Sequence, residues 1–78
     1  MREKQACLVI TFHTTAAAMA MEKHCNQAGI PGKLIPIPRT LSADCGIAWR
    51  CGQESRPEIE AIIKEAGLEA EGLFAVLL

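Results

Sequence analysis

The residue of this sequence best suited to chemistry is Cys45, in the loop Pro38–Gly46. A cysteine acts as a nucleophile or metal ligand in its thiolate form, which neighbouring cations stabilise. Arg39 and Arg50 bracket the loop, and Gly46 leaves room for a ligand to approach the backbone. The sequence therefore predicts a reactive or anion-holding thiol at Cys45. The alternative is an inert loop cysteine beside arginines that only solvate the surface.

The other three cysteines favour a packing role. Cys7 lies in an apolar run and Cys25 among alanines, so both are expected to be small buried hydrophobes. Cys51 alternates with apolar residues and is expected to pack as well, although it could resolve an oxidised Cys45. No C-x-x-C motif occurs and the spacings suit zinc poorly, so we expect no metal and no cofactor.

Composition narrows the classes of partner. Half of the 78 residues are apolar and the formal net charge is −1. A chain without a broad basic surface is not expected to bind nucleic acid or an anionic membrane. No segment approaches the roughly 20 apolar residues of a membrane span, and the N-terminus does not resemble a signal peptide. These features predict a cytoplasmic protein of one domain, residues 1–78.

The first half of the chain predicts a strand, a helix and a second strand. Apolar, β-branched Ala6–Phe12 is typical of a strand buried on both faces. Thr14 or Thr15 can cap a helix that runs to about Ala28. Its expected apolar positions are Ala16, Met19 and Ala20. The run 33–38 contains prolines that cannot donate ladder hydrogen bonds, which indicates a strand at a sheet edge.

The second half repeats the pattern. Residues 47–51 predict a strand, and 55–58 read as a capping box that opens a helix. Glu60 and Lys64 are expected to pair on its outer side, since they lie one turn apart. Residues 69–71 are expected to form a solvated turn, followed by an apolar strand over 73–78.

The order β-α-β-β-α-β predicts an α+β fold, the ferredoxin-like βαββαβ two-layer sandwich. In this fold a four-stranded antiparallel sheet carries two helices on one face. Strands one and three are central, and the proline-containing strand is an edge. Because the last strand is apolar on both sides, we expect a second copy of the chain to cover the open sheet face and form a homodimer.

This topology also predicts what surrounds Cys45. The loop between strands two and three lies at the end of the sheet where the first helix begins. Cys45 is therefore expected to face His13, Thr14 and Thr15, with the positive end of the helix dipole nearby. His13 could instead supply only a local hydrogen bond.

The loop motif Pro36-x-Pro38-Arg39-x-Leu41-Ser42-x-x-Cys45-Gly46-x-Ala48-x-Arg50 resembles the small bacterial proteins of the selenium/sulfur carrier protein-like family. The resemblance covers nearly the whole chain. It departs where family members commonly show Ser-Thr after the first strand and this chain has His13-Thr14-Thr15.

The resemblance implies a cysteine that carries sulfur or selenium, as a persulfide or selenosulfide, between donor and acceptor proteins. By position Cys45 would hold the chalcogen, Arg39 and Arg50 would stabilise the anion, and Ser42 and Gly46 would shape the loop. This favours a carrier or binding protein over a turnover enzyme. Two alternatives stay open: a non-catalytic dimeric binding or regulatory module that uses the same loop, and a thiol redox sensor that pairs Cys45 with Cys51.

Overall fold

Seven elements follow the chain in the order expected from the sequence, with one short 3₁₀ turn added. The structure is a computed structural model that describes residues 6–37, 41 and 46–77. Its elements are β1 (Ala6–Phe12), α1 (Thr15–Ala28), β2 (Gly32–Pro36), β3 (Ile47–Gly52), a 3₁₀ turn (Gln53–Ser55), α2 (Arg56–Ala66) and β4 (Ala70–Leu77).

The strands form one antiparallel sheet in the order β2-β3-β1-β4. The two central strands are β1 and β3, and proline-bearing β2 is an edge, as predicted. In the register of the central pair, Val9 faces Arg50 and Ile10 faces Trp49. A register shift at Thr11/Phe12 interrupts the pairing of β1 with β4. The fold is thus the ferredoxin-like α+β sandwich.

One face of the sheet packs on both helices. Leu8, Ile10 and Trp49 are fully buried there, because alternate residues of a strand point to the same face. Gly32 makes room for the indole, since a Cβ at this position would lie 2.5 Å from Trp49 Cζ2 and from the Arg50 carbonyl oxygen. A glycine at this position therefore lets edge strand β2 approach the largest core side chain.

Helix α1 begins as predicted but turns a different face to the core. Thr14 is the N-cap, and its Oγ1 accepts a hydrogen bond from the Ala17 amide at 3.1 Å. The buried positions are Ala18, Met21 and Cys25. The expected core residue Met19 is instead 57% exposed.

Helix α2 differs from the prediction at its start and on its surface. The 3₁₀ turn runs directly into the helix, so Ser55 has helical dihedrals and makes no side-chain cap. On the outer side, Glu60 accepts from Arg56 Nε at 3.0 Å, so its partner lies one turn before it, whereas the expected Lys64 lies one turn after it. Ile59 is fully buried and anchors the helix to the core.

The sheet face opposite the helices is buried at its centre. Val9, Thr11 and Ala48 have no exposed surface, and Cys7 is 5% exposed. Apolar exposure on this face is found on β4, where Phe74, the register partner of Val9, is 36% exposed. Of the exposed apolar face predicted from the sequence, the described residues therefore leave the β4 side exposed.

Candidate functional site

The base of the loop between β2 and β3 is closed by a backbone hydrogen bond. The Ile37 amide donates to the Gly46 carbonyl oxygen at 3.1 Å. Gly46 has a φ of 79°, in the left-handed region that favours glycine, and a Cβ there would meet no atom within 4 Å. The sequence suggested that glycine leaves room for a ligand here. In the structure, the positive φ is the stronger reason for a glycine at this position. Arg39, Ser42 and Cys45 lie outside the described residues.

The end of the sheet that carries this loop also carries the start of α1. Strands β1 and β2 run in the same direction, so their last residues, Phe12 and Pro36, lie at the same end of the sheet. His13 and Thr14 follow directly, and both are exposed. The first turn of α1 contains no acidic residue, so no side chain of that turn offsets the positive end of the helix dipole.

A carboxylate that the sequence reasoning assigned to a turn joins this end of the sheet. Glu71 belongs to β4 and lies beside the register shift, where Thr11 Oγ1 is 3.5 Å from Glu71 Oε1. His13 Nδ1 lies 3.5 Å from Glu71 Oε2. A carboxylate beside one ring nitrogen orients an imidazole. The prediction of a solvated turn over 69–71 was wrong for Ala70 and Glu71, and no local sequence signal marked the contact.

Arg50 contacts a different cysteine from the one that the sequence suggested. Its Nε donates to Cys7 Sγ at 3.3 Å, across the central strand pair. Both residues lie on the face opposite the helices. The role of Arg50 beside Cys45 stays a prediction, whereas its contact with Cys7 is a feature of the structure.

The two thiols on the helix side of the sheet are poor nucleophiles. Burial raises the pKa of Cys25 from 9.0 to about 11, and the nearby Cys51 adds to the rise. Burial likewise raises the pKa of Cys51 to about 11; the Trp49 side chain partly offsets this rise, while Glu54 and Cys7 add to it. Cys25 is also 3.5 Å from Met21 Sδ, a sulfur contact typical of core packing. The predicted packing roles of both cysteines are confirmed.

No metal site is found among residues 6–37, 41 and 46–77, where no three His, Cys, Asp or Glu side chains lie together as ligands. In the same part of the chain, both helices are too short or too polar to cross a bilayer.

Comparison with known proteins places the chain in a protein family. The fold alone defines a small α+β sandwich, which many unrelated functions share. The family model described as "Putative Se/S carrier protein-like" matches residues 7–75. The chain therefore belongs to the Se/S carrier protein-like family. No curated protein and no solved structure matched it.

Proposed function

We propose that this protein carries sulfur or selenium on Cys45 and passes it between a donor and an acceptor protein. The observation that carries the proposal is membership of the Se/S carrier protein-like family over a match that spans Cys45. The chemistry agrees, because a thiol is the group that can hold a chalcogen as a persulfide or selenosulfide. Cys45 is the best candidate, since Cys25 and Cys51 are buried with raised pKa values and Cys7 is only 5% exposed.

The surroundings proposed for Cys45 favour an anionic sulfur. The loop base at Gly46 shares its end of the sheet with the first turn of α1, whose dipole is not offset by an acidic residue of that turn. His13 lies at the same end of the sheet, where its contact with Glu71 orients the imidazole ring. Arg39 and Ser42 are the loop residues proposed to contact the bound chalcogen.

The transfer step needs no external oxidant. The Cys45 thiolate attacks the outer sulfur of a donor persulfide, forming a new S–S bond while the donor S–S bond breaks. The electron pair leaves on the donor thiolate, which takes up a proton from solvent. Cys45 then carries the persulfide, and an acceptor nucleophile removes its outer sulfur by the same kind of attack. Selenium would follow the same sequence of bonds.

The test is chalcogen loading of Cys45→Ser against the wild-type protein. A donor protein that carries a persulfide is incubated with each protein, and the added sulfur is located on peptides by mass spectrometry. We expect wild-type loading on Cys45 and at least a tenfold decrease in total loading for Cys45→Ser. Cys25→Ala is the matched control, because it removes a buried thiol and should leave loading unchanged. Full loading of Cys45→Ser would refute the proposal.

A redox sensor based on a Cys45–Cys51 disulfide is less favoured. A disulfide requires Cα atoms within about 7 Å. Cys51 lies four residues beyond Ile47 at the start of β3, a distance of about 13 Å along a strand. It is also 4% exposed within the core. Bridging would require the core to open, so we expect mild oxidant to leave Cys51 reduced.

A homodimer through the sheet face opposite the helices is part of the proposal. Phe74 points to this face and is 36% exposed, beside the unpaired outer edge of β4 in the described chain. Phe74→Lys should shift the sedimentation coefficient from dimer to monomer. Met19→Lys, at a more exposed apolar residue on α1, is the matched control and should leave the dimer intact. A wild-type monomer at high concentration would contradict this prediction.

A further inference from the structure

A cleft at the opposite end of the sheet from the β2–β3 loop is lined by two cysteines, Cys7 and Cys51. Its volume is about 470 Å³. It opens where β1 and β2 begin and β3 ends, and the side chains that give it chemical character are those of Cys7, Lys33, Arg50, Cys51 and Glu54. Cys7 is 5% exposed and lines this cleft, which offers a small reagent a route to its thiol.

Arg50 connects the thiol to the rest of the cleft. Its Nε donates to Cys7 Sγ at 3.3 Å, and a guanidinium has two further nitrogen groups for a ligand. Among the described residues, the hydrogen bond to Cys7 is the one that the Arg50 side chain makes. While Nε contacts the sulfur, the outer guanidinium nitrogens can bind an anion beside it.

A second cation lies next to Arg50. Lys33 on β2 is its direct partner in the strand register, and its side chain is exposed. Glu54, beside Gly52, supplies the one acidic side chain among the lining residues. Among the described lining residues, two cations face one carboxylate, so this part of the cleft has a net positive charge and is suited to an anion.

We propose that this cleft binds a small anion that carries a sulfane sulfur, of which thiosulfate is the simplest, and that Cys7 accepts that sulfur. Arg50 and Lys33 bind the oxyanion head group, and the sulfane sulfur faces Cys7 Sγ. The size of the cleft admits such an ion, whereas the low exposure of Cys7 excludes a protein donor. The cleft would be a second site, at which the protein accepts sulfur from an inorganic ion. This inference rests on the proposed function only in assuming that the protein accepts sulfur.

The transfer is balanced without another reactant. Cys7 first loses its thiol proton to solvent. The thiolate then attacks the sulfane sulfur, forming a new S–S bond as the S–S bond of thiosulfate breaks. The electron pair leaves with sulfite, so one sulfite is released for each Cys7 persulfide formed. The Arg50 guanidinium contacts negative charge both in the bound thiosulfate and in the departing sulfite.

The first experiment uses the Cys45→Ser protein, so that only the cleft is tested. Iodoacetamide labelling of Cys7 is followed by mass spectrometry with and without thiosulfate. We expect Cys7 to label faster than Cys25 and Cys51, and thiosulfate to protect it while sulfite appears in the solution. Sulfate is the matched probe, because it has the oxyanion head group without a sulfane sulfur; it should protect Cys7 and release no sulfite.

The second experiment asks whether the cations do the binding. Arg50→Gln should weaken thiosulfate protection on the order of ten- to a hundred-fold, the range expected for losing a charged hydrogen-bond donor. Arg56→Gln makes the same charge change on the exposed side of α2 and should have no effect. Lys33→Gln is a second variant at an exposed position that does not risk the fold.

Three results would overturn the inference. They are a Cys7 that iodoacetamide does not label in the native protein, thiosulfate that gives no protection, and protection that survives in both Arg50→Gln and Lys33→Gln. None of them bears on whether Cys45 accepts sulfur from a protein donor, because Cys45 is absent from the protein tested. Conversely, full loading of Cys45→Ser by a donor protein would refute the carrier function and leave the cleft prediction intact.

Discussion

Alkylation of the core thiols gives the sharpest test of the burial described here. The perturbation is a brief pulse of iodoacetamide applied to the native protein over a series of pH values. Cys25 is fully buried and Cys51 is 4% exposed, and burial raises the pKa of each from 9.0 to about 11. At any pH well below 9.0 their thiolate fraction should therefore be about a hundredfold lower than in the unfolded chain.

The reaction rate follows the thiolate fraction, because the thiolate is the nucleophile. We expect native Cys25 and Cys51 to label at least about a hundredfold more slowly than the same residues in urea at neutral pH. Their native rates should also continue to rise above pH 9.0, where the unfolded rates level off. Rates are read from peptide masses at several pulse lengths, and circular dichroism at each pH confirms that the protein stays folded.

Two results would refute the reasoning. One is native labelling of either residue within tenfold of its rate in urea, which would mean that the thiol is accessible. The other is a native rate that levels off near pH 9.0, which would mean that burial does not raise the pKa. The exposed thiol expected in the β2–β3 loop serves as the internal standard in every sample.

Three further predictions concern stability. Because the raised pKa values favour the neutral thiols of Cys25 and Cys51 in the folded state, their contribution is complete below pH 9.0 and is lost as pH rises toward about 11. Urea unfolding should register a loss of up to about 2–3 kcal/mol per thiol over that interval, and a flat profile would contradict it. Thr14→Ala removes the N-cap of α1 and should lower the free energy of unfolding by about 1 kcal/mol, whereas Thr15→Ala should change it little. Ile59→Ala leaves a cavity between α2 and the sheet, and urea titration should show a loss of about 2–5 kcal/mol; a loss below 1 kcal/mol would mean that α2 is not anchored there.

The order of elements could be predicted from the sequence because each element carries a local signal. The apolar run Ala6–Phe12 matches β1 at both ends, and prolines correctly marked β2 as an edge. The buried face of α1 could not be predicted in the same way. Alanines occur on several faces of this helix, so the sequence pattern does not indicate which face is buried. The packing of Met21 and Cys25 in the core decides it.

The contacts of the candidate site depend on strand register, which local patterns do not specify. A slip of one residue moves every side chain of a strand to the other face, so the pairing of Arg50 with Cys7 needs the observed register. Glu71 reaches His13 and Thr11 beside an irregularity between β1 and β4, and such a shift leaves no signature in composition. The predicted cluster of Cys45, Arg39 and Ser42 lies outside the described residues and stays a prediction.

The lone indole of the chain offers a built-in optical reporter. Trp49 is the single tryptophan and its ring is fully buried. Its fluorescence should therefore be blue-shifted in the native protein and move to longer wavelength when water reaches the ring. Since the same ring packs against Gly32 at the margin of the cleft, emission from one residue can follow both global unfolding and ligand entry, with no dye attached.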